Sequence, residues 1–221
     1  MCGRFVQAIE NKEISAIQRD LGAKVETLQT EISFNVAPTN TVMAVVSQDG
    51  RRYDGYFRWG LVPSWMRQLP KSPMINVRAE TIHEKPSFRA SFRRRRGILP
   101  INGFYEWQKP DKTPFYIYPS AGELLYVAVI YDVWEDDQGS YLPSLGLITT
   151  AANSQMSAIH HRMPALLSSK DFDMWLDEKN EDPRLILPLL EPAEDGLLSY
   201  HEVSREVNKV ANNHPELIVP I

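Results

Sequence analysis

Sixteen prolines are spread along this 221-residue chain without clustering. Each fixes its own φ and withholds a backbone donor, so no helix or central strand can run far. The scatter argues against a proline-rich linker and predicts short elements joined by irregular loops. Thr41–Ser47, a turn at Asp49-Gly50 and Arg52–Trp59 read as a hairpin. Phe104–Trp107, Pro114–Tyr118, Leu124–Ile130 and Leu145–Thr150 read as further strands between Gly, Pro and Asp turns. Helical spacing is confined to residues 10–21, where Ile14, Ile17 and Leu21 precede a stop at Gly22, and to Phe172, Trp175 and Leu176 after the helix-start box Ser168–Asp171. A further helix is expected over Ser204–Asn212 and a closing strand over Leu217–Val219. The fold class is therefore α+β, a mainly antiparallel sheet or barrel-like core with a few peripheral helices, in a single domain over residues 1–221.

Composition narrows the function classes. With 43% hydrophobic residues the chain has material for a sizeable core, and no stretch is long and apolar enough for a signal peptide or membrane span. One cysteine cannot form an internal disulfide or a cysteine-rich zinc site. A cytoplasmic monomer without metal or other cofactor is expected. The net charge of −4 hides an uneven distribution: Lys85, Arg89 and Arg93 to Arg96 carry no acid among them. With Phe88 and Phe92 interleaved and Trp65 as a platform elsewhere, the run reads either as a solvated face or as a groove for single-stranded DNA.

That single cysteine is Cys2. Removal of Met1 would expose an α-amine beside its thiol, with reference pKa values of ~7.7 and ~8.5, so both nucleophilic forms are expected at neutral pH. Such an aminothiol either closes a thiazolidine on an aldehyde or attacks a carbonyl with the amine as base. The alternative is a small buried hydrophobe.

Three further groups carry polar residues in apolar or rigid company. Asn76, Arg78 and Glu80 alternate, which in an extended segment directs all three to one face suited to a sugar or phosphate; the plainer reading is an Arg78–Glu80 surface pair. Glu106, between Tyr105 and Trp107, reads either as a carboxyl raised toward neutrality or as a solvent-facing strand residue. His160 and His161 are adjacent and lack the helical spacing of a metal pair; one reads either as a general acid or base or as a structural histidine, and the other as facing solvent.

Seven motifs in order carry a resemblance: Cys2–Phe5, Phe34–Pro38, Arg58–Trp65, Ile75–Thr81, Gly103–Trp107, Thr149–Asn153 and His160–Pro164. Together they resemble the SOS response-associated peptidase family, from residue 2 to about residue 165. The resemblance implies that Cys2, freed of Met1, forms a thiazolidine crosslink with the ring-opened aldehyde of an abasic site in single-stranded DNA. It further implies that Asn76 orients the deoxyribose, Glu106 moves protons and His160 assists ring opening and crosslink reversal. Arg4, Arg78 and Arg162 would hold phosphates, while Trp65 and Pro38 shape the DNA path. Val77 and Ile98 depart from the usual pattern, away from this chemistry. An amidotransferase of the class II glutamine type, which also begins Met-Cys-Gly, and a non-catalytic DNA-binding module are the competing readings.

Overall fold

The computed structural model describes residues 2–25, 32–122 and 124–221. Among the described residues twelve strands form: β1 Phe5–Gln7, β2 Ser33–Val36, β3 Thr41–Gln48, β4 Arg51–Trp59, β5 Asn76–Arg78, β6 Arg96–Ile101, β7 Gly103–Gln108, β8 Thr113–Pro119, β9 Leu125–Glu135, β10 Tyr141–Ala151, β11 Arg162–Pro164 and β12 Leu198–Glu202. Five short helices lie among them: α1 Asn11–Leu21, α2 Arg89–Arg94, α3 Ser154–Ser157, α4 Phe172–Leu176 and α5 Pro183–Ile186. None is long and apolar enough to cross a membrane.

The expected α+β class holds. Strands β10, β4, β3, β6 and β9 pair in sequence, and β9 returns to β10, so the five close into a barrel. Closure removes the free edges that a five-stranded sheet would otherwise expose. All its pairings are antiparallel except β4 with β10. Around the barrel β10 also carries β5 in parallel and β11 antiparallel. A second sheet runs β12-β8-β7-β1-β2.

Residues 42–46 of β3 are all buried, yet they alternate between two cores. Met43 and Val45 enter the cluster that α1, α2 and α4 pack on, while Val42, Ala44 and Val46 enter the one that holds Cys2, Phe5 and Trp59. A strand covered on both faces gives a continuous apolar run in place of alternation. The β3–β4 turn follows from Asp49 and Gly50, whose φ of 53° and 72° suit the tight two-residue hairpin. Gln7 stitches the second sheet to the barrel: its amide donates to the carbonyls of Met43 and Pro100 at 2.8 and 2.9 Å and accepts from the Met43 N–H at 2.9 Å. It thereby replaces ladder bonds that Pro100 cannot supply.

Four expectations need correction. Ser204–Asn212 forms only a 3₁₀ turn, Arg205–Asn208, and the region of Leu217–Val219 is a second such turn, Pro215–Ile218, followed by an isolated bridge from Pro220 to Val203. The extended run 76–80 ends at Arg78, where Ala79–Thr81 turns into a 3₁₀ helix and takes Glu80 off the strand face. Within the arginine run Arg96 is architectural, whereas Lys85, Arg89, Arg93 and Arg94 are exposed. Arg96 is buried and donates to the carbonyls of Trp175, Phe92, Arg93, Asp177 and Asn180. Burial lowers its pKa to about 10. Arg94 pairs with Glu181 and Arg95 with Asp132. Phe88 and Phe92 are core residues, so neither ring is available to a base.

Candidate active site

The amino end enters the molecule beside β7. Phe5 pairs with Phe104 and Val6 with Gly103, which sets Cys2 close to the strand that bears Glu106. On its other side Gly103 lets β8 come close, since a Cβ there would stand 2.5 Å from the Ile117 carbonyl and 2.6 Å from the Tyr116 ring. Cys2 is fully buried, and its Sγ lies 3.8 Å from the carbonyl of Arg4, to which the thiol donates. Burial, and next the charge of Glu106, push the thiol pKa well up from its ordinary value. The expectation of a thiolate populated at neutral pH is therefore corrected: the environment keeps the sulfur protonated.

Asn76 arrives from the barrel side. Its partner strand β10 places it opposite Leu147, and its Nδ2 donates to the Cys2 carbonyl at 2.8 Å. Its Oδ1 is buried with no hydrogen-bond partner among the described residues. An unmet acceptor beside a nucleophile is suited to a ligand or amine donor. Trp59 holds this junction together. Its ring packs on Phe5 at 4.8 Å and its Nε1 donates to the Ile75 carbonyl, one residue before Asn76. Its backbone carbonyl accepts from Thr39 N at 2.8 Å, which fixes the turn that contains half-buried Pro38.

Glu106 is buried, 2% exposed, and so does not alternate out to solvent. Burial raises its carboxyl pKa, while the positive charge at the chain's amino end, the Trp107 N–H and His161 oppose the rise. Its charge acts in turn on the Cys2 thiol. His160 lies at the mouth of this group on the turn between α3 and β11. Its Nδ1 is 3.0 Å from the Arg162 N–H and 3.1 Å from the Arg162 carbonyl. The neutral ring accepts from that N–H, with its proton on Nε2, and the charged ring donates to the carbonyl, so the turn accommodates both states. Burial first, and then the amino-end charge, hold its pKa below the usual imidazole value. Among the described residues no group of three or more His, Cys, Asp or Glu is placed to bind a metal.

The basic residues divide by exposure. Arg78 is exposed at the end of β5, and Glu80 pairs with Arg162 instead of with it. Arg162 is buried: both terminal nitrogens meet the Glu80 carboxylate, and Nη2 also donates to the Thr149 carbonyl at 2.6 Å. Arg4 Nη1 donates to Asn35 Oδ1 at 2.7 Å and to the Val207 carbonyl at 2.9 Å. Trp65 is 61% exposed on a loop anchored by Asp132, which accepts from the Ser64 N–H at 3.0 Å and from Arg95 at 3.3 Å. Arg95 and the Trp65 loop thus share Asp132 as an acceptor.

Asn35 is a contributor that residue-level reading passed over. Its Nδ2 donates to the carbonyls of Val207, Lys209 and Asn212, tying the C-terminal turns to Arg4. Its signals were an amide between Phe34 and Val36 in an apolar run and its place in the Phe34–Pro38 motif, neither of which names a role.

The chain is similar along its length to proteins of one family. The family described as SOS response associated peptidase (SRAP) matches residues 1–210. The abasic site processing protein YoqW of Bacillus subtilis (strain 168) is 36% identical over 99% of this chain and 99% of its own. The abasic site processing protein HMCES of Gallus gallus is 36% identical over 74% of this chain and 56% of its own. A crystal structure of a protein from Bacteroides thetaiotaomicron superposes with a TM-score of 0.88 at 27% identity, covering 100% of both chains.

Proposed function

The chain belongs to the SOS response associated peptidase (SRAP) family, and we propose that it processes abasic sites in DNA by covalent capture on Cys2. The observation that supports this most directly is the convergence on Cys2 of Asn76, through a 2.8 Å hydrogen bond, and of the Glu106 charge. Met1, whose removal the reaction requires, lies outside the described residues. Once it is gone the α-amine belongs to Cys2 itself.

A protonated thiol favours an order in which nitrogen acts first. The Cys2 amine adds to the C1′ aldehyde of the ring-opened deoxyribose, and Glu106, as the acid, protonates the hydroxyl that leaves as water. The resulting imine is attacked at the same carbon by the Cys2 sulfur. The thiol proton passes to the nitrogen, with Glu106 as the intermediate base, and the five-membered thiazolidine closes. One C–N and one C–S bond form, and one water is released.

His160 in its neutral form takes the proton from the anomeric hydroxyl as the C1′–O4′ bond breaks and passes it to O4′, and it carries the proton back along the same route when the sugar recloses after crosslink reversal. Asn76 Oδ1 accepts from the amine or from a sugar hydroxyl. Arg78 offers an exposed guanidinium to a flanking phosphate, Trp65 a face for an unpaired base, and Pro38 a rigid wall to the path. Arg162 and Arg4 fix the backbone on either side and lend positive charge to the phosphates. The peptidase in the family's name we read as release of the residue that precedes Cys2.

The test is incubation with single-stranded DNA bearing one abasic site, followed by heating and a denaturing gel. A heat-stable adduct from the wild type and none from Cys2→Ala is the expected result. An adduct that persists in Cys2→Ala overturns the thiazolidine. Intact-mass measurement of the amino end, run on the same sample, establishes that Met1 has been removed.

A further inference from the structure

Among the described residues Trp65 is the one exposed tryptophan, yet the backbone that carries it is held at alternate residues. The loop between β4 and β5 is closed at its neck by an isolated bridge from Leu61 to Met74. Within it the Met66 N–H donates to the Pro63 carbonyl at 3.0 Å, which puts Trp65 at the third position of a β-turn. Three side chains of the β9–β10 hairpin hold this stretch. Ser144 Oγ accepts from the Val62 N–H at 2.9 Å, Asp132 Oδ2 accepts from the Ser64 N–H at 3.0 Å, and Trp134 Nε1 donates to the Met66 carbonyl at 2.7 Å. Asp132 pairs with Ser144 across the hairpin, and Asp132 and Trp134 stand two residues apart on β9 and so share a face. The residue before Trp65 and the residue after it are thus both tied to β9.

We infer that Trp134 is a positioning residue for Trp65: its indole N–H, together with the Asp132 carboxylate, fixes the turn so that the Trp65 ring is a preformed platform for an unpaired base. The inference rests on the proposed reading of Trp65 as a DNA contact and deepens it. A stacking ring on a loose loop has to be ordered at the moment of binding, and that entropy is subtracted from the affinity; a ring on a backbone already fixed loses less. Stacking needs no hydrogen-bond partner, so a rigid platform does not narrow the range of bases it accepts.

The charge around the ring suits the same partner. Arg67 and Lys71 are exposed on the loop, and no acid lies between Leu61 and Met74. Asp132 is buried and paired with Arg95 at 3.3 Å, so it holds the turn without presenting an open negative charge to a phosphate.

A double-mutant cycle on the full chain tests this. Trp134→Phe keeps an aromatic ring on β9 but deletes the N–H donor; Trp65→Leu deletes the platform. Affinity for an end-labelled single-stranded DNA without an abasic site is read by fluorescence anisotropy, so no step of the covalent reaction enters. Trp134→Phe should bind roughly threefold to tenfold more weakly than the wild type, the scale of ordering one side chain, and should weaken Trp65→Leu no further. With saturating abasic DNA, Trp134→Phe should form adduct at the wild-type rate, because the change falls on binding. Wild-type affinity in Trp134→Phe, or an equal loss in the Trp65→Leu background, overturns the inference; the latter would make Trp134 a DNA contact itself or a general support of the fold. Should Trp134→Phe fail to fold, Ser144→Ala, which removes the acceptor at Val62, carries the same cycle. If Trp65→Leu binds like the wild type, the reading of Trp65 as a platform fails and this inference with it. Absence of adduct from the wild type would instead overturn the covalent reaction, and the binding cycle would still decide this one.

Discussion

The side-chain amide of Asn76 donates to the backbone carbonyl of Cys2 at 2.8 Å, across 74 residues of sequence. The bond joins the amino end to the barrel, because Asn76 is carried by β5 on β10. Asn76→Ala should leave the fold intact and slow adduct formation by roughly tenfold to a hundredfold, the scale that a misplaced reacting group produces. Single-turnover gel kinetics on abasic single-stranded DNA measure it. A wild-type rate in this variant would mean that β1 alone positions Cys2.

Glu106 destabilises the protein it serves. Its folded pKa is raised by burial, so between the unfolded value and the folded one the native state holds the extra proton. Stability therefore falls as pH rises through that window, and the full cost is present above it. Glu106→Gln should be more stable than the wild type at neutral pH, by about 1 kcal/mol or ~2–4 °C in Tm for a chain of this size, and the gain should vanish at acidic pH. Thermal melts at two pH values test the sign, and the same variant should lose adduct formation.

Arg78 is expected to act through charge alone. Arg78→Ala should weaken binding to single-stranded DNA and make its salt dependence shallower by roughly one unit of slope or slightly less. Fluorescence anisotropy over a salt series reads both quantities. An unchanged slope would remove Arg78 from the phosphate contacts.

Arg96 makes the opposite prediction, although it belongs to the most basic stretch of the chain. Its guanidinium is enclosed by five carbonyls and lies over the Trp175 ring at 5.7 Å. Arg96→Ala strands those acceptors and should cost about 3–5 kcal/mol of stability. Arg96→Met keeps the volume and should still be clearly destabilised. Urea denaturation measures both. If Arg96→Ala folds normally but loses DNA binding, the run is a groove after all.

Local features were legible and distant ones were not. Asp49-Gly50 between two β-branched and aromatic runs announces the β3–β4 hairpin, since the turn chemistry sits within four residues. The helix before Gly22 is legible for the same reason. In contrast, β1 and β2 are three and four residues long and largely buried, so neither alternation nor length marks them. The arginine run misleads because sequence shows the charges but not the carbonyls of Trp175, Asp177 and Asn180 that fold over Arg96. The period-two reading of Asn76, Arg78 and Glu80 fails one residue beyond Arg78, where the 3₁₀ turn hands Glu80 to Arg162. At Cys2 the sequence shows an aminothiol, but the thiol's protonation depends on burial that only the assembled core supplies. Asn76, Glu106 and His160 were singled out individually; the approach of Asn76 and Glu106 to residue 2 rests on pairings between β1 and β7 and between β5 and β10 that no local pattern encodes.

Arg4 closes on the carbonyl of Val207, a partner 203 positions downstream. A ribosome working at roughly 5–20 residues per second needs about 10–40 s to cover that distance. During that interval the leading residues have left the exit tunnel while the turns that enclose them do not yet exist. An aminopeptidase acting on nascent chains therefore meets an open substrate, whereas one arriving later meets Cys2 fully buried. Where an aminopeptidase, and not the folded protein itself, releases Met1, maturation is a race between processing and folding, and the long reach of Arg4 gives processing its head start.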